Sequence, residues 1–296
     1  MLNLQGIFPP IPTSFGADEE LAITKFQDNL KKLSEHGLAG FLVLGSNGEK
    51  VMLSGAEKQQ VFEAAREAIP KDKLMLAGTG EESTRATIQL SKIAAAVGAD
   101  AVMVLNPAYY KGQMTKEALV GHYRAVADAL SIPVIIYNMP ACSGLDLSAE
   151  VIVELSSHPN IVGMKDSGGN ISKMGEILRS AKPGFQVLAG SASFLLAALS
   201  IGAVGGILAT ANIAPDLCVE LLSSYSAGNL KKAREVQSRL LPINKAVTGS
   251  GGIAALKAAM DHLGLYGGPA RKPILPIDGD QRGKLIRLLN DNQITL

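Results

Sequence analysis

The chain is predicted to be an α/β protein, a (β/α)8 TIM barrel with a C-terminal helical extension. Three observations predict it: eight short β-rich runs recur along the first two-thirds of the chain, amphipathic stretches separate them, and 296 residues are enough for one such barrel of about 250 residues with more besides. The runs are GIFPPIPT (6–13), GFLVLGS (40–46), KLMLAG (73–78), DAVMVLNP (100–107), PVIIYN (133–138), NIVGMKDS (160–167), FQVLAG (185–190) and AVGGILAT (203–210). Each is almost continuously apolar. Strands covered on both faces read that way, and such strands form parallel sheets.

Five helices are predicted between the runs, over 23–37, 54–70, 83–99, 115–131 and 148–159. Several stop at residues that end helices, namely Gly37, Pro70, Gly98 and Pro159. A doubly wound open sheet shares this alternation and is the rival fold. After residue 210 the strand signal stops and four helices follow, over 214–228, 230–247, 252–264 and 279–292. One of them completes the barrel. Residues 1–230 are therefore expected to be the catalytic barrel, with 231–296 an extension of about 65 residues, too small for a core of its own, packed against it.

Lys and Arg total 28 against 27 Asp and Glu, a formal charge of +1, which argues against a nucleic-acid surface because phosphate binding needs clustered cations. Two cysteines, Cys142 and Cys218, make no disulfide framework and suit a reducing compartment. The opening MLNLQGIFPP lacks the cationic and apolar segments of a signal peptide. The most apolar stretch, 194–208, is about 15 residues long and interrupted by Ser200, Gly202, Gly205 and Gly206, whereas a membrane helix needs about 20. A cytoplasmic protein with no membrane partner is expected.

Several common sites are absent. His36, His122, His158 and His262 are dispersed, so with two lone cysteines there is little from which to build a zinc or iron site. No P-loop pattern occurs, and AGTGEES (77–83) has Ser83 where a dinucleotide fingerprint needs its third glycine. A serine elbow fails at Leu44, where its first glycine belongs. No metal and no cofactor are expected.

What remains is a set of polar residues at the carboxyl ends of the strands, where barrels carry their active sites. They are Gly45, Ser46, Asn47, Gly48 and Glu49 after the second run, Tyr137 and Asn138 on the fifth, Lys165 within the sixth, and Gly190 and Ser191 after the seventh. Lys165 is the most informative. Flanked by Ile161, Val162 and Met164, it is poorly placed to reach water, and desolvation disfavours an ammonium; a neutral amine attacks carbonyl carbon to give a Schiff base. Its alternative is a structural lysine whose ammonium pairs with a neighbour such as Asp166. Tyr137 is a candidate proton carrier, or else a core tyrosine with a satisfied hydroxyl. The Gly45–Gly48 turn offers N–H groups to an anion, although Gly-Ser-Asn-Gly is equally good loop chemistry.

In combination, these segments resemble the dihydrodipicolinate synthase / N-acetylneuraminate lyase family of class I pyruvate-dependent aldolases. The resemblance is carried by GIFPPIPTSF, GFLVLGSNGE, AGTGEEST, NPAYY, YNMPACSGLD, NIVGMKDSGGN, VLAGSASF and GAVGGILATANIAP, and covers about residues 4–290. GSNGE, NIVGMKDSGG, FQVLAGSA and YGGPARKP most resemble the 4-hydroxy-2-oxoglutarate aldolase type. The resemblance implies Lys165 as the Schiff-base lysine, Tyr137 as proton shuttle, Ser46 as the relay hydroxyl, and Tyr110, with Tyr109 as second choice, reaching the relay of a neighbouring subunit. It implies further that Asn47 and Gly45 hold the substrate carboxylate while Gly190, Ser191 and the carbonyl of Ile207 line the pocket. A homotetramer built from two tight dimers is implied as well.

One departure bears on substrate. Dihydrodipicolinate synthases carry an arginine that binds the carboxylate of aspartate semialdehyde, at the position of Cys142 here, and a thiol does not replace a bidentate guanidinium. Lysine biosynthesis is therefore disfavoured. Lys50, directly after Glu49, stands where relatives carry an uncharged residue, and is expected to make a surface salt bridge. The expected activity is cleavage or formation of a 4-hydroxy-2-oxo acid such as 4-hydroxy-2-oxoglutarate, giving pyruvate or glyoxylate plus an aldehyde. The alternatives are dihydrodipicolinate synthase proper, a 2-keto-3-deoxy sugar-acid aldolase or dehydratase, and a barrel that binds a 2-oxo acid without turnover.

Overall fold

The computed structural model describes residues 2–249 and 251–296. Eight parallel strands form one sheet in the order β1-β8-β7-β6-β5-β4-β3-β2. They are β1 (Gly6–Phe8), β2 (Gly40–Val43), β3 (Leu74–Gly78), β4 (Ala101–Leu105), β5 (Val134–Asn138), β6 (Ile161–Asp166), β7 (Gln186–Ala189) and β8 (Gly205–Ile207). The ring closes between β1 and β2, where the Ile11 N–H donates to the Leu42 carbonyl and the Leu42 N–H to the Pro9 carbonyl, each at 3.0 Å. The (β/α)8 barrel is thus the observed fold, and the open sheet is excluded.

The first and last strands are shorter than the apolar runs that predict them. Pro9 and Pro10 have no N–H to give to a ladder, so the first run leaves the sheet after Phe8 except for a single Pro10–Leu42 bridge. The eighth run turns into a 3₁₀ segment, Ala209–Asn212, directly after its strand.

Outer helices cover the ring: α1 (Ile23–Ser34), α2 (Gly55–Ala68), α3 (Thr84–Val97), α4 (Lys116–Asp128), α5 (Pro140–Ser143), α6 (Ala149–Ser156), α7 (Ile171–Ser180), α8 (Leu195–Ser200) and α9 (Pro215–Ser226). Three of these have no counterpart in the sequence reading. α7 starts where the Asn170 side chain accepts from the Lys173 N–H at 3.0 Å, and its ten residues are amphipathic, with Met174 and Ile177 buried. α8 is apolar almost all round and so carries no amphipathic stripe. α5 is a single turn opened by Pro140.

Two apolar groups divide the molecule by depth. Phe8, Leu42, Leu76, Met103, Ile135, Leu188 and Ile207 fill the inside of the barrel. A larger cluster packs the outer strand faces against the helices and continues into α10 (Leu230–Thr248) and α11 (Gly252–His262) through Leu240, Ile243, Val247 and Leu256. α12 (Gly279–Asp291) adds Leu285 and Leu289 to that cluster.

The extension is also tied to the barrel by charge. Lys257 on α11 and Glu49, after β2, are each 1% exposed and lie 2.5 Å apart. The Lys257 Nζ also donates to the Pro269 carbonyl at 2.8 Å and sits 4.6 Å from the centre of the Phe15 ring. Beyond α11, the Arg271 backbone N–H donates to Glu49 at 2.8 Å, while its guanidinium donates to the Met52 carbonyl at 2.9 Å and to Glu57 at 2.6 Å. Burial and the neighbouring Arg271 push the Lys257 ammonium below the usual lysine range, while Glu49 and Asp261 oppose that.

Removing one member of a buried pair leaves an uncompensated charge, so Lys257→Met is expected to cost about 3–5 kcal/mol in urea unfolding, with part recovered in the Glu49→Gln/Lys257→Met double variant. Hydrogen bonding to Arg271 lowers the Glu57 carboxyl from 4.5 to about 2. The stability this contributes is complete above about pH 4.5 and drains away as pH falls toward 2. Glu57→Gln should flatten the acid limb of the stability–pH curve in that window alone.

Candidate active site

The chemistry-bearing side chains gather at the carboxyl ends of β2, β5 and β6. Lys165 is the next-to-last residue of β6 and is 4% exposed. It pairs in register with Tyr137 of β5, and its Nζ lies 4.2 Å from the centre of the Tyr137 ring. Successive residues of a strand point to opposite faces, so Asp166 is turned away from Lys165. The Asp166 carboxylate accepts from Asn138 Nδ2 at 2.8 Å and from the Gly169 N–H at 2.9 Å, with Lys173 Nζ at 3.5 Å. The pairing of Lys165 with Asp166 left open by the sequence does not occur. Among the described residues no carboxylate lies within ion-pair distance of Lys165.

Tyr137 is 4% exposed, and its hydroxyl is 3.3 Å from Ser46 Oγ. Ser46 opens a 3₁₀ turn, Ser46–Gly48, that also carries the half-buried Asn47. This turn is bracketed by left-handed backbone at two residues with side chains, Leu44 (φ 56°) and Glu49 (φ 52°). Such conformations cost about 1–3 kcal/mol each and persist where surroundings enforce them. Here the enforcement comes from the buried Leu44 side chain, from the Thr13 hydroxyl donating to the Gly48 carbonyl at 2.6 Å, and from the Lys257 and Arg271 contacts to Glu49.

A cavity of about 380 Å³ opens over this end of the barrel, with Gly45, Ser46, Lys50, Glu82, Tyr137 and Cys142 in its wall. Cys142, on α5, is exposed. Gly190 lies where β7 closes on β6: its N–H donates to the Asp166 carbonyl at 2.7 Å, and a Cβ there would stand 2.0 Å from Ser167 Oγ. Ile207 is fully buried inside the barrel. Ser191 is turned elsewhere. Its hydroxyl lies 2.9 Å from that of Ser193 and donates to Asn244 Oδ1 at 3.3 Å, which ties it to α10. Tyr110 and Tyr109 are 69% and 79% exposed and stand edge to face at 5.0 Å, and neither hydroxyl bonds to Tyr137 within the chain.

Lys50 departs from expectation. It does form a salt bridge, with Glu81 at 3.0 Å, but its side chain is only 11% exposed and stands in the cavity wall, not on the open surface. Its ammonium also donates to the Gly80 carbonyl. Glu82 and Thr13 were not singled out from the sequence at all. Nothing in their local pattern marks them, because each acts on a segment far along the chain.

Residues 3–292 match the dihydrodipicolinate synthetase family. A probable mitochondrial 4-hydroxy-2-oxoglutarate aldolase of Emericella nidulans is 39% identical over 285 residues, covering 95% of this chain and 92% of the relative. An L-threo-3-deoxy-hexylosonate aldolase of Hypocrea jecorina is 37% identical over 287 residues, 91% of this chain and 90% of the relative. Among solved structures, YagE of Escherichia coli K12, a prophage protein of the dihydrodipicolinic acid synthase family determined in complex with pyruvate, superposes with a TM-score of 0.94 at 30% identity, covering 99% of this chain and all of that one. Fold, active-site end and sequence thus agree, and the chain belongs to the dihydrodipicolinate synthetase family.

Proposed function

We propose that Lys165 forms a Schiff base with a 2-oxo acid and that the protein, an aldolase of the lyase class, cleaves or forms 4-hydroxy-2-oxo acids, 4-hydroxy-2-oxoglutarate foremost. The observation that carries this reading is the buried Lys165 amine set 4.2 Å from the Tyr137 ring, with Asp166 turned away from it. Lys165 attacks the C2 ketone, and loss of water leaves an iminium whose nitrogen draws electrons. Tyr137 takes the proton of the C4 hydroxyl as the C3–C4 bond breaks, its electron pair passing into the enamine, and the aldehyde departs. The enamine is protonated at C3, and water then hydrolyses the iminium to release pyruvate and the free lysine.

Ser46, 3.3 Å from the Tyr137 hydroxyl, extends the proton path. Tyr110 of a second copy would continue it. The exposure of Tyr109 and Tyr110, together with Val51, 81% exposed at the cavity wall, supports a homo-oligomer, for which we propose the tetramer. Asn47 and Gly45 are assigned to the substrate carboxylate, with Gly190 and the Ile207 carbonyl beside the keto acid. For Ser191 the bond to Asn244 favours a part in holding α10 over direct contact.

Cys142 in the cavity wall weighs against aspartate semialdehyde as partner, since a thiol at that position does not make the bidentate contact that an arginine there would make with that aldehyde's carboxylate. The relative acting on a deoxy-hexylosonate makes sugar-acid cleavage the second reading. No helix among the described residues is long and apolar enough to cross a membrane. The free thiols Cys142 and Cys218 support action in a reducing, cytoplasmic setting.

Treatment with pyruvate and borohydride should add a stable mass at Lys165. Its absence from folded protein would reject the Schiff base and leave the barrel a binder without this chemistry. Lys165→Ala should lose both labelling and cleavage. Tyr137→Phe, lacking the proton carrier, should lower kcat by about 10²–10⁴-fold, measured as pyruvate release from a panel of 4-hydroxy-2-oxo acids.

A further inference from the structure

We propose that Lys50 is the cation that receives the distal carboxylate of a dicarboxylic 2-oxo acid held at Lys165, and so gives this site its preference for dicarboxylic over monocarboxylic substrates. The assignment rests on the Schiff-base reading above and adds to it the residue that recognises the far end of the substrate.

Position is the first ground. Lys50 shares one cavity of about 380 Å³ with Ser46, Tyr137 and Cys142, and among the described residues of that wall it is the one lysine or arginine. The wall also contains Leu44, Met103 and Leu105, so a charge there faces little competition from solvent.

The second ground is the hydrogen bonding of the ammonium. The Lys50 ammonium has three N–H groups, and its partners in the chain are the Gly80 carbonyl and Glu81 Oε1. Glu81 is shared with Lys58, whose Nζ lies 2.7 Å from the same oxygen and whose side chain is 12% exposed. Glu81 therefore has a partner of its own in Lys58 and is not held by Lys50 alone, and one of the three N–H groups of Lys50 has no partner among the described residues. The other acid of the wall, Glu82, also attracts Lys50 through its charge, but its Oε2 is bound by the backbone N–H groups of Ala108 and Tyr109 at 3.0 and 2.8 Å and makes no hydrogen bond to the ammonium. Burial pushes the Lys50 ammonium below the usual lysine range despite the attraction of Glu81, the state of a cation that an incoming carboxylate would stabilise.

The third ground is chemical. Cys142 offers a carboxylate only a weak S–H donor and no positive charge, whereas a desolvated lysine offers both charge and strong donors, as a point charge able to adapt to a short, flexible diacid.

The test reads labelling at Lys165, not turnover. Pyruvate and 2-oxoglutarate, which lacks the C4 hydroxyl and is not cleaved, are trapped with borohydride over a range of concentrations in the full chain and in Lys50→Met and Lys50→Arg. The half-saturating concentration of 2-oxoglutarate relative to pyruvate should rise about 10–100-fold in Lys50→Met and stay near the native ratio in Lys50→Arg. In the unsubstituted protein, the distal methyl ester of 2-oxoglutarate should need about 10–100-fold more ligand than the diacid, a comparison that requires no variant to fold. An unchanged ratio in Lys50→Met, or equal labelling by ester and diacid, overturns the role of Lys50 while leaving Lys165 chemistry standing. Labelling by neither keto acid overturns the Schiff-base reading, and this assignment with it.

Discussion

The active end of this barrel depends on the two-residue period of a β-strand. In β6 the consecutive residues Lys165 and Asp166 would pair were they to share a face, and the amine would be tied to a carboxylate. The pleat prevents this by directing Lys165 toward Tyr137, while Asp166 meets Asn138, the Gly169 N–H and Lys173 on the other side. Asn138 likewise follows Tyr137 on β5, and it too faces outward, donating to Asp146 and Asp166 at 2.8 Å. Each strand thus contributes one residue to the Lys165–Tyr137 contact and the next to a polar network that fixes the strand end. The parallel register of β5 on β6 sets Tyr137 beside Lys165 and Asn138 beside Asp166 in a single step.

A second constraint acts on the turn after β2. Leu44 and Glu49 hold backbone conformations that side chains other than glycine rarely adopt, and Ser46 lies between them. The groups that hold Glu49 come from more than 200 positions further along the chain: Lys257 on α11 and Arg271 beyond it. The C-terminal helices therefore do more than cover barrel surface. Their buried charges brace the segment that presents the Ser46 hydroxyl to Tyr137, which makes the extension part of the active site's support.

The wall of the cavity shows how charge is distributed in this chain. A thiol, Cys142, and a desolvated cation, Lys50, stand at separate places in the same cavity. The same barrel and the same Lys165–Tyr137 pair are compatible with different aldehyde partners, because those partners meet the loops after the strands and not the strands themselves.

Much of this was legible in the sequence, for reasons that are local. Continuous apolar runs and alternating amphipathic stretches report burial on both faces of a parallel sheet, and a lysine within such a run reports its own desolvation. The barrel, and the meeting of Lys165, Tyr137 and Ser46 at the carboxyl ends of its strands, follow from that. What local pattern does not carry was missed or misjudged. The first strand is cut short by its prolines, α8 is short and apolar almost all round, Ser191 turns to Asn244, and Lys50 lies in a cavity wall because Gly80 and Glu81, some thirty residues on, receive it. The chain by itself determined which residues are apolar, which are reactive and in what order they come, since those are properties of side chains and their spacing. The tertiary structure alone decided that Lys165 and Asp166 are kept apart, that Glu49 meets Lys257, and that Lys50 faces a cavity, since each depends on which distant strand or helix closes against it.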